Sequence, residues 1–198
     1  MIDLVLNINP NMQEQAKLLK VNLERTKIIS SAEELLEIGD LKYLILDVEN
    51  YEEVIKIQQK LKGRSINLII LAKDNKFNRK ILEKSNVFML LDVHTSKKQD
   101  FHQKNSGLNH IMCRFAKENK IKIGINITKL IEQDKETQIS WIGRIRQNIS
   151  LCKKLGTELK IITLAKNPKE LKSPYDLSSL LSILGASTQQ QKQIISFI

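Results

Sequence analysis

Short apolar segments alternate with longer amphipathic segments along the chain, and this alternation restricts the fold more than any other feature. Several of the short segments are almost entirely Ile, Leu and Val, which is typical of strands buried on both faces of a parallel sheet. The predicted strands are 2–6, 26–29, 43–48, 66–71, 87–93, 121–127 and 159–164. The predicted helices are 11–24, 31–38, 51–62, 77–84, 106–119, 132–155, 176–184 and 187–197.

A strand followed by a helix, repeated about seven times with short connections, predicts an α/β protein. Two architectures fit this pattern: an open doubly wound sheet and a compact (β/α) barrel. A chain of 198 residues is short for a barrel, which typically has about 250, but seven short strands with minimal loops can still close. No low-complexity linker interrupts the pattern, so we expect one domain over 1–198. The apolar N-terminal segment predicts a core strand rather than a signal peptide, and no apolar run approaches the roughly 20 residues of a membrane helix.

The net charge of +10 is concentrated in one part of the sequence. Residues 94–172 contain 17 Lys and Arg but 7 Asp and Glu, whereas acidic and basic side chains balance on either side of this segment. Concentrated Lys and Arg neutralise phosphates and release counterions, so the distribution favours a polyanionic partner over a merely Lys-rich surface. One Trp, three Tyr and five Phe are too few for serial base stacking, which favours backbone or shape recognition of folded RNA.

Acidic and histidine side chains behind predicted strands raise an alternative, a catalytic metal site. All the histidines lie between residues 94 and 110, and Asp47 and Asp92 are placed at predicted strand ends. Asp47, Asp92 and His94 could hold a cation that activates water, the chemistry of a metal-dependent phosphoesterase. Against this reading, the histidines lack HxH and HxxxH spacing, and the first predicted strand has no histidine. Phosphate-binding glycine loops and the GxSxG, HExxH and CxxC patterns are also absent.

Two predicted helices in the basic segment combine an apolar stripe with a basic face. The stripe of the first helix is Leu108, Ile111, Met112 and Phe115, and that of the second is Ile142, Ile145, Ile149 and Cys152. Outside the stripes lie His110, Arg114, Lys117, Arg144, Arg146, Lys153 and Lys154. Such a face is either solvated surface or a phosphate contact, for which arginine offers bidentate geometry. Cys113 and Cys152, in the same helices, are expected to be packed, reduced thiols.

Four blocks of sequence, spanning about 87–185, occur in a characteristic order. They are FMLLDV, SGLNHIMCRFAKENKIKIGINITKLI, RIRQNISLCKKLG and KSPYDLSSLLSILG. Together they resemble the ribonuclease P protein component 3 family, the archaeal relatives of the eukaryotic thirty-kilodalton subunit. Asn109 and His110 match the pair that opens a helix in this family, and Asn148 matches the Asn embedded in its Arg-rich helix. Lys172 stands where the family usually has Arg, and Thr163 with Leu164 stands where it tends to have Ser-Ser.

The resemblance implies a TIM-barrel-like fold with about seven parallel strands that lacks the metal ligands of related phosphoesterases. It implies a non-catalytic, cytoplasmic subunit of the ribonucleoprotein that removes the 5′ leader of precursor tRNA, with catalysis by the RNA. The implied partners are the ribonuclease P RNA, precursor tRNA through the complex, a small RRM-like protein subunit in a heterotetramer, and other ribonuclease P proteins. No cofactor is expected in this chain, and Mg²⁺ is expected for the RNA-based holoenzyme.

The residues predicted to contact RNA come from the matched positions, the basic helix faces and the basic loop after residue 93. They are Lys97, Lys98, Lys104, Arg114, Arg144, Arg146, Lys153, Lys154 and Lys172. No catalytic residue and no resident metal are expected.

Overall fold

The computed structural model describes residues 1–37, 39–96 and 105–196. Within these ranges, parallel strands pair in sequence order in one 7-stranded sheet, which curves into a nearly closed barrel. The strands are β1 (Ile2–Val5), β2 (Asn22–Ile29), β3 (Tyr43–Leu46), β4 (Asn67–Leu71), β5 (Met89–Leu91), β6 (Lys122–Asn126) and β7 (Leu159–Ile162). The predicted TIM-barrel-like fold is confirmed, and the open doubly wound sheet is excluded because β1 lies at one edge and reaches the chain after β7.

Helices cover the outside of the barrel. They are α1 (Pro10–Leu19), α2 (Tyr51–Lys60), α3 (Asn75–Lys84), α4 (His110–Glu118), α5 (Ile127–Ile131), α6 (Lys135–Leu155), α7 (Pro174–Ile183) and α8 (Thr188–Ile195). Short 3₁₀ segments occur at Glu34–Glu37, Val93–Thr95 and Pro168–Glu170. No helix in the described ranges is long and apolar enough to cross a membrane.

Two of the predicted helices differ from the observed ones near the N-terminus. The helix predicted over 11–24 is too long, because Lys20 adopts a left-handed conformation (φ 56) and β2 already begins at Asn22. The helix predicted over 31–38 is wrong, since residues 31–37, the described part of this range, form only a 3₁₀ turn. At this turn the Glu34 carboxylate accepts hydrogen bonds from the Ser30 N–H at 3.0 Å and the Ser31 hydroxyl at 3.3 Å.

Successive strand residues point alternately into the barrel and toward the helices. Tyr43 and Ile45 of β3 pack inside with residues of other strands, whereas Leu44 and Leu46 pack in the layer that includes the buried helix side chains. Both faces of the strand are therefore buried, which explains its continuous apolar sequence. Inside the barrel, a Cβ at Gly124 would lie 2.4 Å from the Met89 Sδ, so a glycine makes room there for neighbouring side chains.

The barrel closes between β1 and the chain that follows β7. Val5 and Ala165 form a parallel bridge, and the Leu6 N–H donates to the Ala165 carbonyl at 3.1 Å. Beside this bridge, the buried Asp3 carboxylate accepts hydrogen bonds from the Thr163 N–H at 2.9 Å and the Thr163 hydroxyl at 2.7 Å. Thr163 thus makes a polar contact of its own at the position where the resembling family tends to have serine.

Candidate nucleic-acid interface

Helices α4 and α6 pack against each other and carry much of the basic segment. Their buried faces include Met112, Cys113 and Ala116 on α4, and Ile145, Ile149 and Cys152 on α6. The predicted stripes are correct except for Ile111 and Ile142, which are exposed because Cys113 and Asn148 take part in the buried faces instead. The cysteines are buried free thiols, as expected.

Four of the predicted RNA-contacting residues are exposed on this pair of helices. Arg114 lies on α4, and Arg146, Lys153 and Lys154 lie on α6. None of them forms an ion pair within the described parts of the chain. Helix α6 has no acidic residue after Glu136. These cations are therefore available to an external anion, and no shielding carboxylate follows them along the helix.

Arg144 and Asn148 lie one turn apart on α6 and use their side chains within the protein. The Arg144 guanidinium donates from Nη1 to the carbonyl oxygens of His94 at 2.9 Å and Ser96 at 2.8 Å. The buried Asn148 amide donates to the Ser106 carbonyl oxygen at 3.0 Å. Both sides of the segment 97–104 are thus attached to α6. Lys97, Lys98 and Lys104 fall outside the described residues, as does His102.

The remaining matched positions have local structural roles. Asn109 caps α4, since its side chain accepts a hydrogen bond from the Met112 N–H at 2.9 Å. His110 is the first residue of that helix and is exposed, as its position opposite the apolar stripe predicted. Lys172 is half-buried just before α7, where its ammonium donates to the Lys169 carbonyl oxygen at 3.0 Å. The exposed His110 side chain is accessible to a partner, whereas the Asn109 side chain is already engaged in capping α4.

The mouth of the barrel, at the carboxyl ends of the strands, contains a buried carboxylate with a lysine. Asp92 follows β5 in a left-handed conformation (φ 64), and its Oδ1 accepts a hydrogen bond from the Asn126 N–H at 2.8 Å. Its Oδ2 lies 3.6 Å from the Lys129 Nζ, an ion pair too long for a hydrogen bond. Burial raises the pKa of Asp92 to about 6, although the Lys129 charge and the Asn126 N–H act in the opposite direction. The carboxyl group is therefore mainly ionised at pH 7.

His94 is held in an apolar environment two residues further along. Its ring packs edge-on against Trp141, with ring centroids 5.2 Å apart, and neither ring nitrogen has a hydrogen-bond partner in the described structure. Burial lowers the pKa of His94 to about 3, and the charges of Lys129 and Arg144 act in the same direction. The imidazole is therefore neutral, and its main role is packing against α6.

The metal site considered as an alternative is not supported by this geometry. The Asp47 carboxylate forms an ion pair with Lys73 at 2.6 Å, and Lys73 also contacts Glu49 at 2.6 Å. Asp92 is engaged with Asn126 and Lys129 instead. Among the described residues, no group of three or more His, Cys, Asp or Glu side chains could hold a metal ion. Positions at the ends of strands are not sufficient for a metal site, because Asp47 pairs with Lys73 and Asp92 contacts Asn126 and Lys129.

Comparison with known proteins identifies the family. The model of the family described as RNase P subunit p30 matches residues 41–197, which is well over half of the chain. The chain belongs to the RNase P subunit p30 family. The match begins well before residue 87, where the first of the four sequence blocks begins. The family similarity therefore also includes earlier strands, for which the sequence showed only the alternation of strands and helices.

Several archaeal proteins are similar to this chain. The chain is 28% identical to the ribonuclease P protein component 3 of Methanococcus vannielii over 150 residues, which cover 75% of this chain and 62% of that protein. It is 26% identical to the component of the same name in Methanocaldococcus jannaschii over 165 residues, covering 83% of this chain and 67% of that protein. The matched part of the chain therefore spans roughly two thirds or less of the length of these relatives.

Solved structures agree on the fold. A chain in the cryo-EM structure of an archaeal ribonuclease P with mature tRNA superimposes with a TM-score of 0.73 at 22% identity, covering 98% of this chain and 86% of that one. An amidohydrolase crystal structure gives a TM-score of 0.56 at 10% identity and covers 81% of this chain and 41% of that one. Both similarities support the barrel architecture.

Two cations at the barrel mouth were not among the predicted site residues. Lys129 pairs with Asp92, and Lys166 lines the same cavity from the loop after β7. A sequence signal existed for both, because each lies within four residues of a strand end, on the loops where barrel proteins place functional groups. The RNA-contacting residues were instead predicted on the basic helix faces, because those faces carry more charges.

Proposed function

We propose that this chain is a non-catalytic, RNA-binding protein subunit of cytoplasmic ribonuclease P, the ribonucleoprotein that removes the 5′ leader of precursor tRNA. The observation that carries the proposal is the set of exposed, unpaired cations on α4 and α6 in a chain of the p30 family. Guanidinium and ammonium groups bind RNA phosphates through charge and release of counterions. The predicted contacts of Lys97, Lys98 and Lys104 belong to the same proposal.

The arrangement of the barrel mouth supports a scaffold role rather than catalysis by this chain. Leu6, Leu71 and Leu164 occupy positions at the ends of β1, β4 and β7, where barrel enzymes commonly carry functional groups. Asp92 holds the backbone of Asn126, and His94 is neutral and packed. In this proposal the RNA component performs the cleavage and Mg²⁺ serves that RNA.

The proposed partners follow from the family. They are the ribonuclease P RNA, precursor tRNA through the complex, a small RRM-like protein subunit in a heterotetramer, and further ribonuclease P proteins. The similarity to a chain in an archaeal ribonuclease P with mature tRNA supports an assembly of this kind. Basic residues at α4 and α6 suit the RNA, because helix faces with unpaired cations can follow a phosphate backbone.

Reconstitution tests the proposal. The purified chain alone, with precursor tRNA and Mg²⁺, should not remove the leader, and its addition to a catalytic ribonuclease P RNA with the other protein subunits should increase the rate of cleavage. Cleavage by the chain alone would contradict the scaffold role. Failure to associate with the RNA or with any of the subunits would contradict the assembly.

Charge reversal tests the surface. Arg146→Glu should weaken RNA binding and lower the slope of log affinity against log salt by about 0.7–0.9 for each phosphate that the arginine neutralises. Arg64→Glu is the matched control, because Arg64 is also exposed and lies outside the basic segment. Equal effects of the two substitutions would show that net charge matters and this surface does not.

A further inference from the structure

A small cavity of about 220 Å³ lies at the mouth of the barrel, between the carboxyl ends of the strands and the loops that follow them. One wall is apolar and is formed by Leu6, Ile28, Leu71 and Leu164. The first three are only half-buried, so this apolar wall is partly open to solvent. The rest of the lining includes the polar side chains of Asp92, Asn126 and Thr128. The cavity therefore offers both apolar surface and hydrogen-bonding groups.

Two buried polar atoms of the lining have no hydrogen-bond partner in the described structure. They are the Oδ2 of Asp92 and the hydroxyl oxygen of Thr128, and both residues are more than nine-tenths buried. Leaving buried polar atoms without a hydrogen bond is unfavourable, and native proteins rarely do so without a reason. Because both residues line one cavity, a single group entering it can meet both.

Two cations also line the cavity. Lys129 is half-buried and pairs with Asp92 at 3.6 Å, and Lys166 is exposed without an ion pair in the described residues. Glu132 is the acidic residue of the lining besides Asp92. The two ammonium groups can bind anionic groups of a ligand, and the Asp92 Oδ2 beside them can accept a hydrogen bond from a donor of the same ligand.

The size of the cavity restricts its ligand. Sites for whole small molecules usually have volumes of about 300–1,000 Å³, so this one fits a single ring that belongs to a larger partner. An unstacked nucleobase combines an apolar ring face, donor groups on its edge and a neighbouring phosphate. An arginine of a partner protein also has donors, but its charge would be repelled by Lys129 and Lys166.

We propose that the barrel mouth binds one unstacked RNA base that carries an exocyclic amino group. The ring lies against the leucine and isoleucine wall, the amino group donates to the Asp92 Oδ2, and the Thr128 hydroxyl completes the contact. Lys129 and Lys166 bind the adjoining phosphates. This inference rests on the proposed RNA-binding function and extends it, because it adds recognition of a base to attraction of the backbone.

Base preference provides the test. Binding of the full chain to eight-nucleotide A, C and U homopolymers is measured by fluorescence anisotropy at several salt concentrations. The A and C oligomers should bind about tenfold more tightly than the U oligomer, as expected for one hydrogen bond to a charged acceptor. Thr128→Val, which keeps the shape of the side chain, should reduce the preference several-fold.

Asp92→Asn provides the sharper variant. Asparagine tolerates the left-handed backbone at this position and retains an oxygen for the Asn126 N–H, so the fold should persist. The free oxygen becomes an amide donor, which should abolish the preference for amino bases or shift it toward uracil. Asp47→Asn is the control, because Asp47 also follows a strand but lies outside this cavity.

Each alternative outcome has a definite meaning. Equal binding of the three oligomers, with a normal salt dependence, would overturn the base pocket while leaving the RNA-binding function intact. Binding of acetylarginine amide, lost in Asp92→Asn and unaccompanied by a base preference, would instead assign the cavity to a partner protein. Absence of binding to any RNA would overturn both the pocket and the proposed function.

Discussion

Arg144 and Asn148, one turn apart on α6, hold the backbone on opposite sides of the lysine-containing segment 97–104. Arg144 binds the carbonyl oxygens of His94 and Ser96, and Asn148 binds that of Ser106. The helix thus carries exposed cations and also side chains that fix the backbone at Ser96 and at Ser106. Positions that match the family's Arg-rich helix therefore divide into residues that attach the segment and residues, such as Arg146, that face solvent.

Replacement of Arg144 by alanine should lower the free energy of unfolding by about 1.5–3 kcal/mol, because two carbonyl oxygens lose a charged donor. Urea unfolding monitored by circular dichroism measures the change. Arg146→Ala is the matched control on the same helix and should change the free energy of unfolding by less than about 0.5 kcal/mol, as is usual for surface residues. Equal destabilisation by both substitutions would show that the bonds to His94 and Ser96 contribute nothing.

Gly107 should tolerate no side chain. Its φ of +81° disfavours any other residue, and a Cβ there would lie 1.8 Å from the Val93 carbonyl oxygen, which belongs to the backbone and cannot move aside cheaply. Gly107→Ala should therefore destabilise the protein by more than about 3 kcal/mol or prevent folding. Thermal unfolding and the yield of folded protein check this expectation.

Gly143 provides the contrast to Gly107. It lies inside α6, and a Cβ there meets no atom within 4 Å. Gly143→Ala should stabilise the protein by about 0.5–1 kcal/mol, because alanine loses less conformational freedom in a helix. Destabilisation by Gly143→Ala would mean that the exposed face of α6 is packed against something in solution.

The contribution of the neutral His94 to stability should decrease in mild acid. Its pKa in the folded state is about 3, below the ordinary value of 6.5, so the unfolded chain binds the proton first and the contribution of this group falls as the pH drops below about 6.5. Between pH 6.5 and pH 5 the contribution of His94 to the free energy of unfolding should fall by about 2 kcal/mol. His94→Phe keeps a ring against Trp141 and removes two unpaired nitrogens.

Urea unfolding of the wild type and of His94→Phe at pH 7 and pH 5 measures the contribution of the imidazole. The variant should be at least as stable at pH 7, and its advantage over the wild type should grow at pH 5. A constant difference between the two proteins would mean that the imidazole titrates normally and is therefore not buried as described.

Local pattern predicted the strand–helix alternation, the parallel sheet and the exposed positions of His110, Arg114 and Arg146. These features follow from burial on one or both faces, which a sequence displays directly. The pairing of Asp92 with Lys129, and of the Arg144 side chain with the His94 carbonyl oxygen, joins residues that are 37 and 50 positions apart. Nothing in the local sequence marks such contacts, since they depend on which loops meet at the barrel mouth.

The helix predicted over 132–155 is confirmed as α6 except that it begins at Lys135, whereas the short helix that precedes it was not predicted. A short helix, α5, already begins at Ile127, and Asp134 then caps α6 by accepting a hydrogen bond from the Thr137 N–H at 3.0 Å. An aspartate three residues before a threonine, in a polar turn, is a recognisable capping signal.

Asp3 and Thr163 should govern the closure of the barrel and its response to pH. Burial raises the pKa of Asp3 to about 6, so in the folded state the carboxyl group holds its proton more tightly than in the unfolded chain. Stability from this group is therefore greatest below the unfolded pKa of 3.8 and falls as the pH rises through about 6. A shift of this size corresponds to about 3 kcal/mol.

Two substitutions of Asp3 separate its hydrogen bonds from its charge. Asp3→Asn retains an oxygen for the Thr163 N–H and carries no charge, so its stability relative to the wild type should improve by up to about 3 kcal/mol between pH 4 and pH 7. Asp3→Ala leaves the Thr163 donors unpaired beside a cavity and should be about 2–4 kcal/mol less stable than Asp3→Asn at both pH values. Urea unfolding of the three proteins at pH 4 and pH 7 makes the comparison. Parallel pH profiles of stability for Asp3→Asn and the wild type would show that Asp3 titrates like an exposed carboxylate. Equal stability of Asp3→Ala and Asp3→Asn would show that the barrel closes without this contact.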